Sequence, residues 1–135
     1  TVAKIPRDEA MAASDKLVGK TLQIIDYFGC AYCIENPANS RLWDREVATG
    51  LIASIVTSYC SFGYCYRKNT RLASNFPLVL PRCPGPGLCP SMIGNRHKEH
   101  AQKGGGGLEP RYKSPDELHT IPESLILEIL SQLKC

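Results

Sequence analysis

The sequence predicts an α/β fold, read as half of a doubly wound sheet with helices on its faces. Two observations carry that expectation. A short apolar run, Cys30 to Ile34, lies between two stretches of helical periodicity, and a β-branched run, Ile55 to Cys60, follows the second stretch. Short apolar runs flanked by helices read as inner strands of an α/β sheet. The length of 135 residues suffices for one domain with a modest core, and residues 1–135 are taken as one partial domain.

Taken in order, Pro6-Arg7-Asp8-Glu9 is a helix start, with acids placed to meet the positive end of the dipole. Met11, Val18, Leu22 and Ile25 then recur at helical spacing, and Gly29 suits the C-cap. The expected role of this helix is to pack against the sheet. Cys30 to Glu35 is the first strand, stopped by Pro37. Cys30 and Cys33 are expected within it, on opposite faces and in the core.

Ala38 to Arg41 is a polar turn, and Leu42, Trp43, Val47, Leu51 and Ile52 form a second helical stripe. Ile55 to Cys60 reads as the second strand. A basic turn from Tyr66 to Arg71 follows, and Leu72 to Asn75 is a short third strand hairpinned onto the second, ended by Pro77. Residues 81–113 shift to Pro, Gly, Cys, His and basic residues, an irregular insert in which Gly104 to Gly107 is a flexible joint. Ser114 to Leu118 is a capped helical turn, and Pro122 opens a last helix bearing Leu125, Ile129 and Leu133.

Composition narrows the class. The apolar fraction of 43% and charged fraction of 21% are globular rather than disordered. The net charge of +3, with the basic residues mainly between Arg67 and Arg111, suits a polyanion without approaching a histone-like excess. No apolar run is long enough for a membrane span, and no signal peptide is seen at the start. Seven cysteines, an odd number scattered among helix and strand patterns, read as mostly reduced thiols in an intracellular protein. The chain starts at Thr1 without Met, which reads as a fragment or a processed product.

Three constellations carry chemistry. Glu35 and Asn36 fall where open α/β sheets bind ligands, beyond the carboxyl ends of the strands. A carboxylate beside an amide reads a donor–acceptor edge such as that of a nucleobase, while capping of the next helix is the structural alternative. Arg67, Lys68 and Arg71 follow Tyr59, Phe62, Tyr64 and Tyr66, a basic and aromatic mixture suited to phosphates and stacked bases. A solvated hairpin turn is the alternative there. Cys83-x5-Cys89-x7-His97-x2-His100 is a soft-ligand set in a loop without a core of its own, suited to zinc, with Cys60 or Cys65 as a further ligand from the neighbouring strand. Free surface cysteines are the alternative.

Read together, these motifs resemble DNA cytosine-5 methyltransferases. Glu35-Asn36-Pro37 is similar to the family's Glu-Asn-Val, and Phe62 to Leu72 is similar to its Phe-Gly-x-Pro-Gln-x-Arg-x-Arg. A divergent phage and protist branch is matched more closely, also through His97, Ala101-Gln102-Lys103 and Leu118 to Leu125. The resemblance implies the C-terminal half of a Rossmann-like, S-adenosylmethionine-dependent three-layer sheet. It implies methyl transfer from S-adenosylmethionine to carbon 5 of a flipped cytosine in DNA. Glu35 would bind the base, Arg71 would support the catalytic loop, and Asn36 and Pro37 would shape the pocket. Arg67 and Lys68 would contact DNA.

The family's Gly-rich cofactor loop and Pro-Cys nucleophile loop precede this region and are not among these residues. Tyr66, Cys65 and Asn69 stand where the family has glutamine, proline and arginine. The chain is therefore expected not to methylate alone. Two expectations follow: an enzyme half completed by a missing N-terminal half, or a non-catalytic accessory or structural subunit. Either way the half-sheet leaves edges that call for a partner chain or a homo-oligomer.

Overall fold

The computed structural model describes residues 6–51, 53–101, 108–110, 116 and 119–134. Helix α1 spans Arg7–Phe28, strand β1 Cys33–Pro37, β2 Ala53–Ser58 and β3 Asn69–Ser74. Four two-residue strands follow, β4 Met92–Ile93, β5 Arg96–His97, β6 Glu99–His100 and β7 Glu109–Pro110, joined as two pairs, β4 with β5 and β6 with β7. Helix α2 spans Glu123–Ser131. Short 3-10 turns cover Arg41–Asp44, Glu46–Ala48 and Tyr59–Phe62.

The sheet order is β1-β3-β2, and β3 pairs antiparallel with both neighbours. It follows that β1 and β2 run parallel to each other, with a reversed strand between them. That corrects the expectation of β1 as an inner strand: among the described residues it is an edge strand. The sequence pattern does not separate these cases, because β1 is half-buried along its whole length rather than alternating.

Alternation assigns the faces. Cys33, Glu35 and Pro37 of β1 share a face with Ser74, Leu72 and Thr70 of β3, their register partners. Helix α2 covers this face: Leu125 is fully buried against Tyr59, Tyr66, Leu72 and Leu80, with Ile121 and Ile129 packed alongside. Burying a leucine of this kind stabilises by about 1.5–3 kcal/mol. Asn36, Arg71 and Val56 occupy the opposite face, where Trp43 lies against Arg71 at 5.4 Å from guanidinium carbon to ring centroid. The Trp43 indole N–H donates to the Pro37 carbonyl at 2.9 Å, closing that layer onto the strand.

Helix α1 differs from expectation in its packing. It buries none of its residues, and Leu17, Ile24, Tyr27 and Phe28 are exposed. Its contact is with the 3-10 turns rather than the sheet, fastened where the Arg45 Nε–H donates to Asp15 at 2.9 Å. The expected second helix from Leu42 is replaced by two 3-10 turns. Arg45 between them is extended, at φ −89° and ψ 144°, in the conformation that carries its guanidinium to Asp15. Cys30 precedes β1 and is exposed, so the placement of Cys30 and Cys33 within one strand is also corrected.

The other boundaries move by a few residues. Asn69, Thr70 and Arg71 belong to β3 rather than to the preceding basic turn, while Tyr59 and Cys60 leave β2 for a 3-10 turn. The glycine run at 104–107 and the turn at 114–118, apart from Asp116, lie outside the described residues.

Candidate metal centre and sheet-mouth cleft

Cys60, Cys83, Cys89 and His97 converge from three separate pieces of chain. Cys60 rides the 3-10 turn that leaves β2, Cys83 and Cys89 flank the Pro/Gly loop, and His97 ends β5. Local chemistry explains the convergence. Gly85, at φ 86°, allows the loop to fold back, and the Cys89 amide N–H donates to the Gly85 carbonyl at 2.9 Å. Gly94, at φ 58°, takes the first central position of the β4–β5 hairpin, where an L side chain would be strained. The hairpin delivers His97 to the two thiols.

The four ligand atoms all lie within 4.8 Å of one another. The Cys83 Sγ to His97 Nε2 distance is 3.5 Å and the Cys89 Sγ to His97 Nε2 distance is 3.8 Å. Zinc–sulfur and zinc–nitrogen bonds of the usual lengths on a tetrahedron put sulfur and nitrogen ligands about 3.6 Å apart. The cluster therefore has the size and donor set to hold a metal ion such as zinc. Cys60, Cys89 and His97 are buried and Cys83 is half-buried, so the site is closed as structural sites are.

The electrostatics fit soft-cation binding. Burial, followed by hydrogen bonding and repulsion from Cys83 and Cys89, pushes the Cys60 thiol up to about 12. Burial also works to raise Cys83, but the Gly85 amide, the Cys60 and Cys89 thiols and the Arg67 charge outweigh it, and its value falls. Burial and Arg67 lower His97, favouring the neutral imidazole that ligates metals. Three thiols crowded together resist ionising in succession; a divalent cation removes that resistance and releases their protons.

His100 is outside the cluster, and its buried Nδ1 has no hydrogen-bond partner among the described residues. Cys65 is outside as well; Cys60 is the candidate ligand from the strand side. Helical or strand periodicity does not reveal that choice, because it depends on the turn that swings Cys60 away from β2.

The remaining sequence-predicted residues divide among three places. Glu35 faces α2, where its carboxylate accepts hydrogen bonds from the Thr70 hydroxyl and from the Tyr59 hydroxyl, the latter at 3.4 Å. It lines a cavity of about 220 Å³ with Cys33, Leu72 and the apolar side of α2. Asn36 and Arg71 are on the opposite face. Glu35 and Arg71 therefore share no pocket wall: register sets Leu72 opposite Glu35, and Thr70 and not Arg71 reaches its carboxylate. Pro37, Arg67 and Lys68 do meet, in a polar cleft of about 440 Å³ shared with Ala38, Asn39, Asn69 and Ala101.

This cleft sits at the carboxyl ends of β1 and β2. Lys68 Nζ lies 4.8 Å over the Tyr59 ring, and Tyr59, Tyr64 and Tyr66 pack edge-to-face or tilted with centroids 5.2–6.3 Å apart. Tyr59 and Thr70 as partners of Glu35, and Asn39 and Ala101 as cleft walls, were not legible as motifs. The cleft does not fit S-adenosylmethionine. It offers two cations against the sulfonium charge, and among the described residues no acid lines it to take the ribose hydroxyls.

No protein-family model, curated protein or solved structure matches this chain. Among the described residues no helix is long and apolar enough to cross a membrane.

Proposed function

We propose that this chain is a zinc-clasped, Rossmann-like half-domain of the cytosine-5 methyltransferase type. It contributes a base-reading carboxylate and phosphate-contacting cations to DNA, and it is inactive on its own. The observation that supports this reading most is the placement of Arg67 and Lys68 at the carboxyl ends of β1 and β2, with Glu35 on β1 itself. A helix on one face, 3-10 turns on the other and outer strands that run parallel agree with it. S-adenosylmethionine and the nucleophilic cysteine would come from another segment or chain. The reduced cysteines favour an intracellular setting, since the six described cysteines form no disulfide.

The test is base preference. The zinc-loaded chain is titrated calorimetrically with single-stranded oligonucleotides differing only in cytosine or thymine at one position. A cytosine preference that Glu35→Gln removes supports the reading; equal affinity for both bases sinks it.

A second reading, an accessory or structural subunit, is favoured by one observation: Glu35 is already engaged by Thr70 and Tyr59, with Arg71 on the other face. Under both readings the edge of β1 and the exposed apolar side chains of α1 call for a partner or a second copy. A monodisperse monomer in analytical ultracentrifugation would count against that.

A further inference from the structure

The metal cluster and the basic cleft are built from the same strip of chain. The Tyr59 amide, one residue before Cys60, donates to the Lys68 carbonyl at 3.2 Å. The Ser58 hydroxyl donates to the Asn69 side-chain oxygen at 2.6 Å, so two cleft residues hang on the turn that carries a metal ligand. From the other side, the Ser91 hydroxyl donates to the Tyr64 carbonyl at 2.8 Å, and the Glu99 amide donates to the Cys65 carbonyl at 3.1 Å. Those bonds brace the stretch leading into Arg67. Ala101, four residues after His97, is buried and closes the cleft wall.

Tyr59 and Tyr66 anchor one side of this strip in the core, but the side from Cys83 to Ala101 has almost no apolar core to hold it. From Cys83 to Ala101 the buried residues are Cys89, Ser91, His97 and Ala101, two of them metal ligands and one a serine. Regions with so little apolar burial open locally at low cost. A metal ion bound by Cys60, Cys83, Cys89 and His97 would cross-link both walls of the cleft at once.

We infer that the metal centre and the Pro37–Asn39, Arg67–Asn69, Ala101 cleft are thermodynamically linked, so that a phosphate-bearing ligand binds the metal-loaded protein preferentially. This rests on the reading of Arg67 and Lys68 as phosphate contacts, and not on base recognition by Glu35. The ligand chemistry is a phosphate diester or free phosphate seated between two cations and the amides of Asn39 and Asn69. Linkage is reciprocal: the ligand strengthens metal binding by the same factor by which the metal strengthens ligand binding.

The experiment uses the full chain with one equivalent of zinc, and the same chain after chelation. The probes are a fluorescein-labelled single-stranded dodecamer and inorganic pyrophosphate. Chelation is expected to weaken dodecamer binding by about tenfold or more, and saturating dodecamer to raise zinc affinity by that same factor. Equal dodecamer affinity with and without zinc, or zinc affinity unmoved by the dodecamer, overturns the linkage.

Because chelation can unfold more than the cleft, the Arg67→Gln/Lys68→Gln double variant supplies an independent arm. Its zinc affinity without the dodecamer changes with the loss of the Arg67 charge beside Cys83 and His97, so the readout is the zinc shift on adding the dodecamer, which it should lose. A variant that keeps the shift overturns the proposal. Displacement of the dodecamer by pyrophosphate identifies free phosphate as a sufficient ligand, and lack of displacement identifies the strand; both retain the linkage. Zinc-dependent dodecamer binding without cytosine preference keeps the linkage while removing base reading. Failure of zinc-loaded protein to bind either probe overturns the linkage and the phosphate assignment together.

Discussion

The three-stranded sheet and the segment from Pro81 to Ala101 are neighbours held by different physics. The sheet buries Tyr59, Leu72, Ala73 and Leu125 and joins its strands by two antiparallel ladders. The segment has only the two-residue pairing of β4 with β5, the short β6 strand, and buried groups that are mostly polar or sulfur-bearing. Apolar burial specifies the first region by shape and area. The second has donors in place of area, and a bound metal is one means of ordering such a loop. The contrast assigns the proposed zinc its job: it supplies to the segment what the core supplies to the sheet.

The sharpest way to break this contrast is to remove the metal. Structural zinc contributes on the order of 10 kcal/mol to small metal-dependent folds. Chelation, or Cys89→Ala, should therefore erase hydrogen-exchange protection between Cys89 and Glu99 while amides of β3 remain protected. Uniform loss across both regions would show that the sheet depends on the ion as well.

The reciprocal experiment acts on the sheet. Leu125→Ala empties a fully buried site beneath α2 and should cost about 3 kcal/mol in urea denaturation of the zinc-loaded chain, with one metal still bound. A smaller effect comes from Gly94→Ala, which forces an L residue to φ 58° in the hairpin carrying His97. A strain of about 1.4 kcal/mol would lower zinc affinity roughly tenfold without moving the sheet's denaturation midpoint after chelation.

The smallest effect lies outside both regions, at the clasp between α1 and Arg45. The hydrogen bond from Arg45 holds the Asp15 carboxyl below its usual 3.8, against opposing desolvation and aided by the Arg45 charge. A lowered folded value stabilises fully above the unfolded value and fades as pH falls through the folded one. Docking of α1 should thus loosen below about pH 4, and Asp15→Asn should lose that dependence, as read by hydrogen exchange in α1. The pair is half-exposed, so added salt should blunt the effect.

How much of this was legible in the sequence follows the same division. Residues 7–28 carried cap and stripe signals strong enough to give α1 almost to the residue, and Pro122 marked the start of α2. Cys83, Cys89 and His97 were readable as soft ligands within one irregular stretch. The choice of Cys60 over Cys65 was not, because it is settled by the turn at Tyr59 rather than by spacing. Register was also out of reach. A shift of one residue exchanges the faces of a strand, and that is why Glu35 and Arg71, adjacent in motif order, are found on opposite sides of the sheet. Nor could periodicity separate the stripe from Leu42 to Leu51 from a true helix, since Arg45 leaves helical geometry to reach a residue of α1.

The account stands on the four-ligand cluster, and metal content per chain tests it most directly. Elemental analysis of protein purified without chelators should give about one zinc per chain, falling in step when Cys60, Cys83, Cys89 or His97 is replaced. Less than about one tenth of an equivalent in the parent chain would contradict it.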